Sequence, residues 1–166
     1  MLALARDASQ GKIQANLRRA LDSTLAVLRD SLERQRVQLD VRLPDIVPNI
    51  EVGQGDLEQL LLNLVTNAKD AMPTGGVLAI RTEILGENIA IVVHDNGCGI
   101  PTDAMDRIQE PFFTTKKNGN GLGLSICRSI VWNAGGGLEI ASQPGVGTKV
   151  RVLLPMVNDN VRANRL

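Results

Sequence analysis

Residues 56–72 read DLEQLLLNLVTNAKDAM, and the fold is decided by how this stretch is read. Leu57, Leu60, Leu61, Leu64, Val65, Ala68, Ala71 and Met72 recur at helical spacing, while Gln59, Asn63, Thr66, Asn67 and Asp70 share the opposite stripe. The pattern predicts an amphipathic helix. Asp56 is expected to cap its first turn after Gly53 and Gly55, and Pro73 with Gly75 and Gly76 to stop it. A solvated face would more often carry Lys and Glu, since Asn competes with the helix for backbone hydrogen bonds. Two Asn four residues apart therefore point to a task. An amide oxygen is a neutral, hard ligand suited to one corner of an octahedral Mg²⁺ shell completed by water and phosphate oxygens. Taken alone, the helix is also readable as a polar stripe that merely meets solvent.

On its N-terminal side, residues 13–36 step Ile13, Leu17, Leu21, Leu25, Leu28 and Leu32 by three or four, as in a long helix. Val37, Leu39, Val41 and Leu43 then alternate with polar residues as a half-buried strand ending at Pro44. On the C-terminal side, residues 77–85 and 89–94 form a hairpin through Gly86, Glu87 and Asn88. A short helical turn over 102–108 follows, then a helix ending near Asn133 before three glycines. A second hairpin pairs 138–142 with 148–154. This order predicts an α+β fold: a two-layer sandwich whose mostly antiparallel mixed sheet of about five strands is covered on one face by three helices. Hairpins in series argue against a doubly wound parallel sheet.

The 166 residues suffice for one domain with a real core. Eighteen basic and eighteen acidic side chains cancel, so no global field favours nucleic acid or an anionic membrane. Uninterrupted apolar runs such as 89–93 are far short of the ~20 residues of a membrane span. No signal-peptide core opens the chain, and a cytoplasmic location is expected, with anchoring of a longer protein left open. Cys98 and Cys127 have no paired spacing and are expected to be small buried hydrophobes. With no Tyr and one Trp, the core must be aliphatic, and the adjacent Phe112 and Phe113 need their own explanation.

Three further stretches carry chemistry. Asp95, Gly97 and Gly99 follow a strand directly, which holds a carboxylate at a strand end while the glycines admit a flat ligand. Such a carboxylate would select adenine, with its exocyclic amine, over guanine; the same residues also serve an ordinary turn. Gly119, Gly121 and Gly123 lie at a helix start, where backbone amides and the helix dipole meet phosphate. The Lys-Ser/Thr ending of a P-loop and the preceding strand of a dinucleotide fingerprint are both missing. Lys116 and Lys117 are placed to face terminal phosphates, or else are solvated loop lysines.

Together these stretches resemble the histidine-kinase branch of the ATPase superfamily that includes gyrase, the Hsp90 chaperones and the MutL repair proteins. Residues 63–71 match its N box, 95–100 its first glycine box, 111–116 its F box, 119–125 its second glycine box and 145–148 its third. The PFFTTK wording is similar to the nitrogen- and oxygen-sensing kinases. The resemblance implies a Bergerat-type sandwich over 13–156, with residues 1–12 as the tail of a dimerisation helix and 157–166 as a polar tail. It implies ATP and Mg²⁺ as cofactors, with Asn67 and Asn63 on the metal and Asp95 on the adenine amine, aided by Gly97, Gly99, Ile100 and Thr148. Asp70, Thr115, Lys116, Gly119, Gly121, Leu122, Gly123 and Leu124 complete the nucleotide contacts, and Asn63, Asn67 and Lys116 are the residues assigned to catalysis. A lid over 102–122 would be anchored by Phe112 and Phe113, or these would meet the phosphoacceptor helix. Val150 and Asp70 depart from the family's common Phe and basic residue.

In gyrase-like members a glutamate one turn before the metal-binding Asn activates water, and Asn63 stands there instead. An amide cannot serve as that base. The γ-phosphoryl group is then expected to pass to a histidine on a dimerisation domain outside this chain, and on to a response regulator. His94, the only histidine, is expected to be a half-buried strand residue. No nucleic-acid or membrane contact is expected, and the isolated domain is expected to be monomeric. A self-contained ATP hydrolase and a nucleotide-sensing module are the alternatives.

Overall fold

A computed structural model describes residues 13–108, 110–115 and 119–157. The expectations for residues 1–12, Lys116, Lys117 and most of the C-terminal tail fall outside these residues. Three helices, α1 (Leu17–Arg34), α2 (Gln54–Asp70) and α3 (Gly123–Asn133), cover one face of a five-stranded sheet. The strands are β1 (Val37–Arg42), β2 (Gly76–Leu85), β3 (Asn88–Asp95), β4 (Gly137–Gln143) and β5 (Gly147–Pro155), in the order β1-β2-β3-β5-β4. Only β1 and β2 run parallel; the other pairs are antiparallel. The expected mixed sandwich is thus the observed one.

The aliphatic core lies between the layers. Leu78, Ile80, Ile89, Ile91, Val93, Val152 and Leu154 of the sheet meet Leu57, Leu60, Leu61, Leu64 and Val65 of α2, all buried. Each such leucine contributes roughly 1.5–3 kcal/mol by leaving water. Central α2 packs against both α1 and α3, so its apolar stripe fixes how its amide stripe is aimed.

Several boundaries differ from expectation for local reasons. Helix α1 begins at Leu17, not Ile13, because the Asn16 side chain accepts from Arg19 N–H at 2.9 Å and Ala15 bridges Ile50 as extended chain. Asp56 does not cap α2; Gly53 is the N-cap, without a side-chain bond, and Asp56 sits in the first turn. Strand β1 is an edge strand, so only Val37 is buried while Leu39 and Val41 remain 42% and 37% exposed. His94 points to the open face of the sheet and is exposed rather than half-buried. Cys127 is buried, but Cys98 is exposed, because it lies past the end of β3. Among the described residues, no helix is long and apolar enough to cross a membrane.

Candidate functional site

The C-terminal end of β3 delivers Asp95 to the sheet edge beneath the end of α2. The residue is 4% exposed, and its Oδ1 accepts from the Gly97 N–H at 2.9 Å. Burial pushes its carboxyl above the ordinary carboxylate range, opposed by the backbone N–H groups of Gly97 and Thr148 and by His94. Among the described residues no salt bridge engages this carboxylate, and the donors to it there are the backbone N–H groups of Gly97 and Thr148.

Each glycine stretch is held by contacts that leave no room for a side chain. A Cβ on Gly97 would lie 2.3 Å from Ala71 O, and the neighbouring Cys98 N–H donates to that carbonyl at 2.8 Å. This seats the first glycine box on the end of α2. Gly99, at φ +70°, would meet Gln143 O at 2.3 Å, and Gly147, at φ +142°, would meet Asp95 O at 2.0 Å. Gly145 N–H donates to Cys98 O at 2.8 Å. The first and third glycine boxes are therefore packed backbone to backbone, with Thr148 at 8% exposure opposite Asp95 in the β3–β5 register.

The second glycine box opens α3 beside the amide stripe of α2. Asn63 Nδ2 donates to Gly123 O at 3.3 Å, while its Oδ1 accepts from Gln59 Nε2 at 3.2 Å. A Cβ on Gly123 would stand 3.7 Å from Asn67 Nδ2, so the helix start faces the second amide closely. The Leu122 N–H is taken by Asn120 Oδ1 at 3.1 Å, which leaves Gly123, Leu124 and Ser125 as first-turn amides of α3. Leu124 packs its side chain on the core. Asn63 also borders Cys127, whose thiol is pushed up to about 12 chiefly by burial, and this thiol is accordingly inert. Asp70, at the end of α2, lies 3.7 Å from Lys69 Nζ.

The two phenylalanines part company. Phe113 is covered by the Arg107 guanidinium, 4.5 Å from the ring centroid, and Arg107 reaches Glu110 at 3.3 Å. Phe112 is 76% exposed and sits at φ +68°, which is rare for a bulky residue. Its N–H donates to Gly121 O at 3.0 Å, and Gly121, at φ +69°, has Phe112 C 2.3 Å from where a Cβ would be. The F box and second glycine box thus share one backbone contact; Thr115 is exposed just beyond it.

Asn63, Asn67, Asp95, Gly97, Gly99, Ile100, Gly121, Leu122, Gly123 and Thr148 are brought to one end of the sandwich through these contacts. Sequence reasoning missed Ser142, whose Oγ accepts from the Ile100 N–H at 2.8 Å and meets Thr148 Oγ1 at 2.8 Å. Its only signal was a hydroxyl residue across the second hairpin from Thr148.

Residues 53–158 match the family described as histidine kinase-, DNA gyrase B- and HSP90-like ATPase. The chain belongs to this ATPase family. Its relatives within it include the sensor histidine kinase ZraS of Escherichia coli K12, 35% identical over 141 residues, covering 85% of this chain and 30% of that protein. The alginate biosynthesis sensor protein KinB of Pseudomonas aeruginosa is 37% identical over 126 residues, covering 75% of this chain and 21% of the relative. The chain thus spans about a third or less of these sensor kinases. Among solved structures, the catalytic domain of histidine kinase ThkA superposes with a TM-score of 0.76 at 27% identity, covering 86% of this chain and 94% of that one. The mycobacterial sensor histidine kinase MprB gives 0.74 at 26% identity, covering 88% and 98%. In family terms, this chain is similar to the catalytic, ATP-using part of sensor histidine kinases.

Proposed function

We propose that this ATPase-family domain binds MgATP between α2, the end of β3 and the start of α3, and passes the γ-phosphoryl group to a histidine on a dimerisation domain. The observation that carries the reading is the convergence of a buried carboxylate held by backbone donors, an amide stripe and a helix N-terminus at one end of the sheet.

The donor set fits the group. Asp95 is the acceptor for the adenine amine, with Gly97, Gly99 and Ile100 forming the floor and Thr148 joining through water. The first-turn amides of α3 are aimed where phosphate oxygens would sit. Asn67, supported by Asn63, would hold Mg²⁺ by its amide oxygen, and that ion when bound supplies charge neutralisation at the phosphates. Lys116 and the lid beside Thr115 are assigned to the terminal phosphates.

Catalysis by this chain is positioning. Asn63 spends its carboxamide on Gln59 and Gly123, and an amide has no basicity with which to activate water. The phosphoryl group therefore awaits a stronger nucleophile, an imidazole held in line by the docking of two domains. A cavity of about 600 Å³ supports such docking, since its lining includes Ile13, Val52, Phe112, Leu122, Ile126 and Ile130. Asp95, Thr148, Asn63 and Asn67 do not line it, so it adjoins the nucleotide cleft through Leu122. A response regulator would take the phosphoryl group onward.

The test is incubation with γ-labelled MgATP and a histidine-bearing helical dimerisation domain supplied in trans. Acid-labile label on the partner is expected. Steady phosphate release with no label on the partner would favour a self-contained hydrolase and sink the kinase reading.

A further inference from the structure

We infer that Ser142 is the positioning residue for base recognition, fastening the two glycine boxes so that Thr148 and the Ile100 segment stay in register with Asp95. The inference rests on the adenine reading of Asp95 given above.

Ser142 lies near the end of β4, directly across from Thr148 in the β4–β5 ladder. Its hydroxyl has three partners, one in the loop after β3 and two at the start of β5. It accepts from the Ile100 N–H at 2.8 Å, just past Gly99, donates to Gly147 O at 3.0 Å and meets Thr148 Oγ1 at 2.8 Å. A hydroxyl offers one proton and two lone pairs, so these three partners exhaust it. Ser142 then has nothing left to offer a nucleobase, and any effect it has on the base passes through Thr148 and Ile100.

The position matters because the segments it joins are held in unusual backbone. Gly99 and Gly147 have φ +70° and +142°, and where a side chain would be, Gly99 has the Gln143 carbonyl at the end of β4 and Gly147 the Asp95 carbonyl at the end of β3. Close approach is set by these glycines, but lateral alignment along the contact is set by directional bonds. Among the described residues three such bonds join these stretches: Gly145 N–H to Cys98 O, the Thr148 N–H to the Asp95 carboxylate, and the Ser142 hydroxyl to Ile100 N–H. The last also orients the Thr148 hydroxyl beside Asp95. Without it the Ile100 N–H and the Thr148 hydroxyl lose their shared partner, and the base-reading end of the cleft is free to splay while the phosphate end, built on α2 and α3, is untouched.

The readout is therefore base preference. Equilibrium binding of MgATP and MgGTP is measured for the wild-type chain, Ser142→Ala, Ser142→Thr and Asp95→Asn. Ser142→Ala is expected to lower the ATP-over-GTP preference about tenfold, the worth of one to two hydrogen bonds, with GTP affinity unchanged. Ser142→Thr, which keeps the hydroxyl, is expected to restore the preference. If Ser142→Ala does not fold cooperatively, Ser142→Cys, near-isosteric but a weak hydrogen-bonding group, carries the same expectation. Equal loss for both nucleotides, or no loss, would overturn the assignment by making Ser142 merely structural or irrelevant. Should Asp95→Asn leave ATP affinity unchanged, the adenine reading itself falls and this inference with it. If Asp95→Asn weakens ATP while Ser142→Ala matches wild type, only the role of Ser142 fails.

Discussion

On the proposed reading, Asp95 is held for nucleotide binding against stability. Its raised pKa means that the folded chain binds this proton more tightly than the unfolded chain does. The unfolded state then holds fewer protons than the native state between the two pKa values, so stability from this group falls as pH rises through that window. Above that window the domain carries the full cost of a buried carboxylate, and below the ordinary carboxylate value the cost is gone. Asp95→Asn keeps an oxygen for the Gly97 N–H and removes the charge. Its melting temperature is expected to equal or exceed wild type by about 2–6 °C at neutral pH, the advantage shrinking as pH approaches ~4. ATP affinity should drop about 10- to 100-fold, the worth of a hydrogen bond to a charged group. Thermal melts over pH would check this, and a variant less stable than wild type at neutral pH would contradict it.

At the level of elements, the cleft depends on how closely backbones approach, and glycine substitutions separate close approach from conformational strain. Gly99 and Gly145 both have positive φ, +70° and +76°. A Cβ on Gly145 meets nothing within 4 Å, whereas one on Gly99 meets the Gln143 carbonyl at 2.3 Å. Gly145→Ala should cost about 1–2 kcal/mol, the left-handed penalty alone. Gly99→Ala should cost roughly 1–3 kcal/mol more, because backbone must move, and should weaken ATP binding as the first glycine box lifts from the third. Urea unfolding of both variants decides the matter; equal costs would mean that Gly99 does not press on the Gln143 carbonyl at the end of β4.

In the whole molecule, what was legible followed from repetition and what was not followed from single long-range partners. The apolar stripe of residues 57–72 repeats often enough to fix α2 and, with it, the direction of Asn63 and Asn67. Hairpin turns at 86–88 and 144–147 were legible for the same reason, and so was the one-sided sandwich. The start of α1 was misplaced because a lone Asn16 cap and the Ala15–Ile50 bridge overrode the step from Ile13 to Leu17. The exposure of Leu39 and Val41 depends on β1 taking the sheet edge, which alternation along one strand does not encode. Ser142 was invisible because a serine in a strand becomes part of a site only when Ile100, 42 residues away in sequence, arrives above it.

The central claim is that three separated stretches form one nucleotide cleft, and an amide NMR titration with a non-hydrolysable ATP analogue and Mg²⁺ tests it most directly. The account predicts that resonances of Asn63, Asn67, Gly97, Gly99, Ile100, Gly123, Leu124 and Thr148 shift together along a single saturable curve, while those lining the Ile126 and Ile130 cavity shift less. Shifts confined to one of the three stretches, or separate curves for Asp95's neighbours and for the start of α3, would contradict it.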